Sequence, residues 1–164
     1  MFLYHAFPFS ALRYLIPLVL VMIPYVLRER VNLRFDTKDI VAGVAVSAIV
    51  LLPFWFLLSQ PGRSLPSPSV STMLFQVLGA AFPEEVYFRG FLQEQVGNNV
   101  RGLLVVSLLF SIMHLPQLIF YGDPYAILTF FPSLVMGFLY MWTSNVIPST
   151  IFHAAANTLF VGLL

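Results

Sequence analysis

The stretch Ala81-Phe82-Pro83-Glu84-Glu85-Val86-Tyr87-Phe88-Arg89-Gly90 decides how this chain is read. It sets two adjacent carboxylates and an arginine inside 164 residues that are 59% hydrophobic and only 9% charged. A mean hydropathy of +0.89 excludes an ordinary soluble domain. Hydrocarbon offers backbone amides no partners, so the crossing segments must be helices or a closed barrel. The apolar runs are long and unbroken rather than short and alternating, which selects helices. The expected fold is all-α, a polytopic transmembrane helix bundle of about six spans. In lipid an ionisable side chain costs about 2.5–3.5 kcal/mol on insertion scales, so by default it marks function.

Outward from that stretch, its own span begins near Val70, passes Pro83 and stops at Gly97-Asn98-Asn99. Before it, span one covers about residues 6–27, with Pro8, Pro17 and Pro24 tolerated because neighbouring helices can satisfy the amides they free. It lacks the basic flank and small-residue cleavage site of a signal peptide and reads as retained, with His5 as an interfacial residue. Arg28, Arg30, Arg34 and Lys38 make the one charge-rich loop, read as a solvated segment that marks the cytoplasmic side. Span two, residues 40–59, carries Gly43, Ala45 and Ala48 for close helix approach, and Pro53 as a kink. Pro61, Gly62, Pro66 and Pro68 make a loop on the opposite side, with Arg63 as its cation.

Beyond the central stretch, Arg101 returns the chain to the cytoplasmic face. Span four covers residues 102–115, span five follows Gly122-Asp123-Pro124 and runs to about Thr143, and span six opens at Ile147-Pro148. Both termini are expected outside the cytoplasm. Residues 1–69 are thus two accessory helices with a basic loop, and residues 70–164 the helix core that carries the chemistry.

Charge and cysteine usage narrow the classes further. A net charge of +1 without a basic, aromatic-interleaved patch excludes a nucleic-acid partner. With no cysteine there is no disulfide, thiolate nucleophile or Cys-based metal site.

Three polar clusters remain: Glu84-Glu85-x-x-x-Arg89, Phe110-x-x-x-His114 and His153-x-x-x-Asn157. Glu85 and Arg89 are four apart in the favourable acid-before-base order, and read as a structural ion pair. Glu84 lies about 100° round the helix and is left to face a cavity. His153 and Asn157 share a face across three alanines, so two donors can point at one spot and hold a developing oxyanion. Counted from Val70 and from Ile147, Glu84 and His153 each fall about 9 Å above the cytoplasmic edge of a core about 30 Å thick. His114, counted from Arg101, climbs about 20 Å, some two turns too deep unless tilt shortens the climb.

Glu, two His and an Asn are the parts of a water-activating hydrolase. A lone intramembrane His can also simply bond a carbonyl across helices. Glu84, His114 and His153 could instead hold zinc as three ligands with an open position, although no His-Glu-x-x-His is present. A non-catalytic immunity or binding protein and a small proton-coupled transporter are further readings. The first leaves unpaired polar groups in lipid without a use, and the second does not require His153 and Asn157 on one face.

The three motifs, in this order on successive apolar helices, resemble those of the CAAX protease and bacteriocin-processing (CPBP, or Abi) family, from about Val70 to the C-terminus. The resemblance implies a glutamic-type intramembrane endopeptidase without a metal or other cofactor. Glu84 would be the general base for water, helped by His114. His153 and Asn157 would form the oxyanion hole, with Glu85, Arg89 and Phe110 in support. It implies an integral protein of a bacterial or archaeal inner membrane, its site facing the cytoplasmic half. The substrate would be a membrane-associated peptide or protein terminus. The chain is short for the family, so specificity for prenylated CAAX termini is not carried over.

Overall fold

The computed structural model describes residues 12–58 and 68–163, with no strand among them. The expectations for His5, Pro8 and Arg63, and for residues 60–67 of the proline-rich loop, lie outside these residues. Helix α1 spans Leu12–Val26 and takes Pro17 and Pro24 within it; α2 spans Thr37–Leu58 and contains Pro53.

The third rod, α3, is continuous over residues 70–96 but changes pitch along its length. It is α-helical at Val70–Phe75, π-helical at Gln76–Ala81, α-helical at Phe82–Glu85, π-helical at Val86–Gln93 and α-helical again at Glu94–Val96. Pro83 has no N–H for the ladder, and just before it the Phe82 amide reaches back five residues to Val77 O. Wide turns of this kind re-aim side chains and concentrate at functional sites. Here they bracket the two glutamates.

Gly97, at φ +118°, turns the chain, and Asn99 caps α4 (Val100–Met113) by accepting the Gly102 amide at 3.2 Å. Helix α5 (Leu115–Tyr121) continues that rod beyond Pro116, and Gly122 closes it in a left-handed conformation. Then come α6 (Tyr125–Leu128), α7 (Phe130–Thr143) and α8 (Val146–Leu163). Among the described residues this makes six helical rods, in agreement with the expected bundle. Three of them, Thr37–Leu57, Val100–Tyr121 and Tyr125–Thr143, are long and apolar enough to cross a bilayer by length and composition.

Polarity runs inside out. Phe35, Phe56 and Ile49 are 83%, 78% and 73% exposed, whereas Glu85, Arg89, Gln93, Ser133 and Asn145 are wholly buried. An apolar exterior around a polar interior is what lipid solvent selects, and the protein is an integral membrane protein.

The basic loop keeps Arg28, Arg30, Arg34 and Lys38 exposed, as expected. It is also an extended strap across the end of the bundle. Asn32 donates to Ser144 O at 2.5 Å and accepts the Val146 amide at 3.2 Å, while Arg34 donates to Thr143 O at 3.0 Å. Asn145 answers from below: it accepts the Arg34 amide (3.1 Å) and donates to Arg34 O (2.7 Å) and Asp39 (2.8 Å). The turn between α7 and α8 has carbonyls and amides that its own helices cannot use, and the strap satisfies them. Asn98 on the α3–α4 turn also donates to Ser144 Oγ, so both turns and the strap meet at one end.

Candidate active site

Arg89 lies in the second π-helical stretch of α3, one turn below Glu85, with no exposure of either side chain. Its Nε stands 3.3 Å from Glu85 Oε2, the ion pair expected from the spacing. The guanidinium reaches α7 as well, where Nη2 donates to Ser133 Oγ at 2.7 Å and to Ser133 O at 3.1 Å. It also lies over the Phe110 ring at 5.0 Å, a cation–π contact that apolar surroundings strengthen.

The other oxygen of Glu85 goes elsewhere. Oε1 takes His153 Nδ1 from α8 at 2.9 Å. A carboxylate has no proton to give, so Nδ1 is the donor and the ring is held at one nitrogen. Nε2 then faces Glu84 Oε2 at 3.8 Å. The Glu84 carboxylate keeps 16% of its surface, against none for Glu85, and makes no hydrogen bond among the described residues. Adjacent glutamates therefore have separate surroundings: one locked behind the imidazole, one in front of it.

Phe110 joins these to the end of α4. Its ring lies 5.6 Å from His153 in a T-shaped contact and 4.6 Å from His114. Its carbonyl accepts His114 Nδ1–H at 2.8 Å. Glu84, His114 and His153 are within electrostatic range of one another. Asn157 stands one turn beyond His153 on α8, half-buried, its side chain without a hydrogen bond among the described residues.

The apparent depth conflict of His114 has a geometric cause. Glu84 and His114 belong to one helical hairpin and are best measured from its turn, thirteen residues from Gly97 and fourteen from Val100. His153 reaches the same level in seven residues because α8 starts well inside the bundle. Val146 is wholly buried and lies beside Gly90, where a Cβ would meet its Cγ2 at 3.0 Å.

Three contributors were not singled out from the sequence. Gln93 donates to Gly137 O and Asn98, each at 3.1 Å, and extends the ladder Glu85, Arg89, Gln93 at every fourth residue. That ladder was legible as a polar stripe on an apolar helix. Ser133 and Asn145 carried no such signal, since small polar residues are common in membrane helices and turns. As for a metal, no group of three or more His, Asp or Glu side chains that could hold an ion occurs among the described residues.

Fold and site together define a polytopic membrane protein with a glutamate–histidine cluster inside its helix bundle. The family model described as type II CAAX prenyl endopeptidase Rce1-like matches residues 66–159, and the chain belongs to that family. Neither the curated proteins nor the solved structures contain a significant match.

Proposed function

We propose that the protein is an intramembrane endopeptidase of the CAAX-protease type, working by glutamate-assisted attack of water on a peptide bond. The observation that carries this reading is the 3.8 Å approach of Glu84 Oε2 to His153 Nε2, with Glu85 behind the imidazole. Glu84 takes a proton from water as the oxygen bonds to the scissile carbonyl carbon. The carbonyl electrons move to its oxygen, which His153 and Asn157 stabilise, and His114 helps to hold the water. When the C–N bond breaks, the proton passes from Glu84 to the departing amine.

With Nδ1 committed to Glu85, His153 can donate from Nε2 only as the doubly protonated ring. This is a sharper requirement than two donors on one face. Glu85 and Arg89 orient the imidazole, and Phe110 keeps both histidines in register. The proposed substrate is a membrane-associated peptide or a membrane-protein terminus, in a bacterial or archaeal inner membrane. Arg34 and the two helix turns meet at one end of the bundle, which supports an approach from the cytoplasmic half.

Glu84→Gln should lower cleavage by about 10²–10⁴-fold, the usual contribution of a general base. The protein should remain folded in the membrane, as read by thermal unfolding in detergent. Normal cleavage by Glu84→Gln removes it as the base. Comparing new protein termini in membranes carrying wild type or Glu84→Gln would identify the substrate.

A further inference from the structure

A guanidinium and a carboxylate in a dry interior ordinarily close on each other through two parallel N–H···O bonds. Arg89 and Glu85 do not. Only Nε faces the carboxylate, at Oε2, and Oε1 is left for His153 Nδ1. Ser133 is the group that holds the fork turned away. Its hydroxyl and carbonyl oxygens both take Nη2, and Nη1 makes no hydrogen bond among the described residues.

We propose that Ser133 is a positioning residue: by gripping Arg89 Nη2 it prevents a two-pronged Arg89–Glu85 pair and so reserves Glu85 Oε1 for His153. The helix geometry suits the task. Arg89 and Gln93 on α3 face Ser133 and Gly137 on α7 at the same spacing of four, so the grip is one rung of a ladder. The hydroxyl contact is the shorter of the two at Ser133, and only it can be removed by substitution. Without it the fork can turn and compete for Oε1, and His153 then loses the acceptor for its Nδ1–H. The catalytic consequence rests on the proposed peptidase reading; the consequence for the His153 Nδ1 hydrogen bond does not.

The test uses the full chain in lipid nanodiscs with ¹⁵N-labelled histidine, the three imidazoles being assigned by single substitutions. In the wild type His153 should give one protonated, hydrogen-bonded Nδ1. Ser133→Ala should weaken that hydrogen bond, read as a shift of the Nδ1 resonance, and lower kcat about tenfold with KM within about twofold, the scale of one hydrogen bond to a charged group. Ser133→Thr, which keeps the hydroxyl, should restore both. If Ser133→Ala does not fold, Ser133→Cys, close in size and a weak hydrogen-bonding group, carries the same comparison. A His153 signal unchanged by loss of the hydroxyl overturns the proposal. Absence of cleavage in the wild type would instead overturn the peptidase reading, and the histidine spectra would still decide the role of Ser133.

Discussion

Helix α8 is held from two sides in two different ways. Against α2 the seam is one of shape: a Cβ on Gly43 would come within 2.9 Å of Pro148 Cα and 3.0 Å of its carbonyl oxygen. The nearby Ser47 spends its hydroxyl on Gly43 O in its own helix at 2.7 Å, so it adds nothing across the gap. On the other side α8 meets α3 through charge, His153 to Glu85, and α3 is tied in turn to α7 through Ser133 and Gly137. Lipid tails are as apolar as leucine, so hydrophobicity alone does not drive helices together in a bilayer. Close packing of small residues is one remedy and interhelical hydrogen bonding the other. The protein uses the first between α8 and α2 and the second where a charged group must be kept inside.

The two seams should fail differently. Removing one partner of a buried charge pair leaves the other uncompensated, so Arg89→Ala should cost about 3–5 kcal/mol and appear as lost yield or an early thermal transition. The double replacement Glu85→Leu with Arg89→Met should recover most of that stability and none of the proposed cleavage. A double variant no more stable than Arg89→Ala would mean that this seam depends on packing after all.

Gly43→Val overpacks the other seam against backbone that cannot yield, and about 1–3 kcal/mol is expected. Its cleavage defect should track the displacement of α8 rather than any change in protonation, which the histidine spectra would separate. Gly137→Ala is milder: the new methyl meets Leu103 Cγ at 3.0 Å and Gln93 Oε1 at 3.3 Å, both side-chain rather than backbone atoms. About 1 kcal/mol or less should be lost in thermal unfolding, since flexible neighbours can give way. At the small end, a chelator should leave cleavage unchanged; full loss restored by added zinc would replace the glutamate mechanism with a metal one.

The contrast also explains what could be read in advance. Glu84, Glu85 and Arg89 announced themselves because charge is rare in this chain and costly in its solvent. The spacing of Glu85 and Arg89 was enough to predict their pairing. His153 and Asn157 were legible as one helix face, but the bond that takes His153 Nδ1 out of the donor count joins residues 68 apart in sequence. The strap shows the same limit. Arg34 reads as a solvated cation and its side chain is exposed, but nothing in its neighbourhood forecasts that Asn145, more than a hundred residues later, bonds its backbone.

Composition and local spacing alone determined that the chain is a helical membrane bundle and that a few polar residues must be kept inside it. Both follow from the cost of exposing charge or unpaired amides to lipid, which acts residue by residue. Tertiary structure alone decided which oxygen of Glu85 meets which nitrogen, that Ser133 turns the guanidinium, and that His114, Glu84 and His153 stand level. Those outcomes depend on where each helix begins relative to the others. That is set by turns, wide helical turns and a strap whose partners lie far away along the chain.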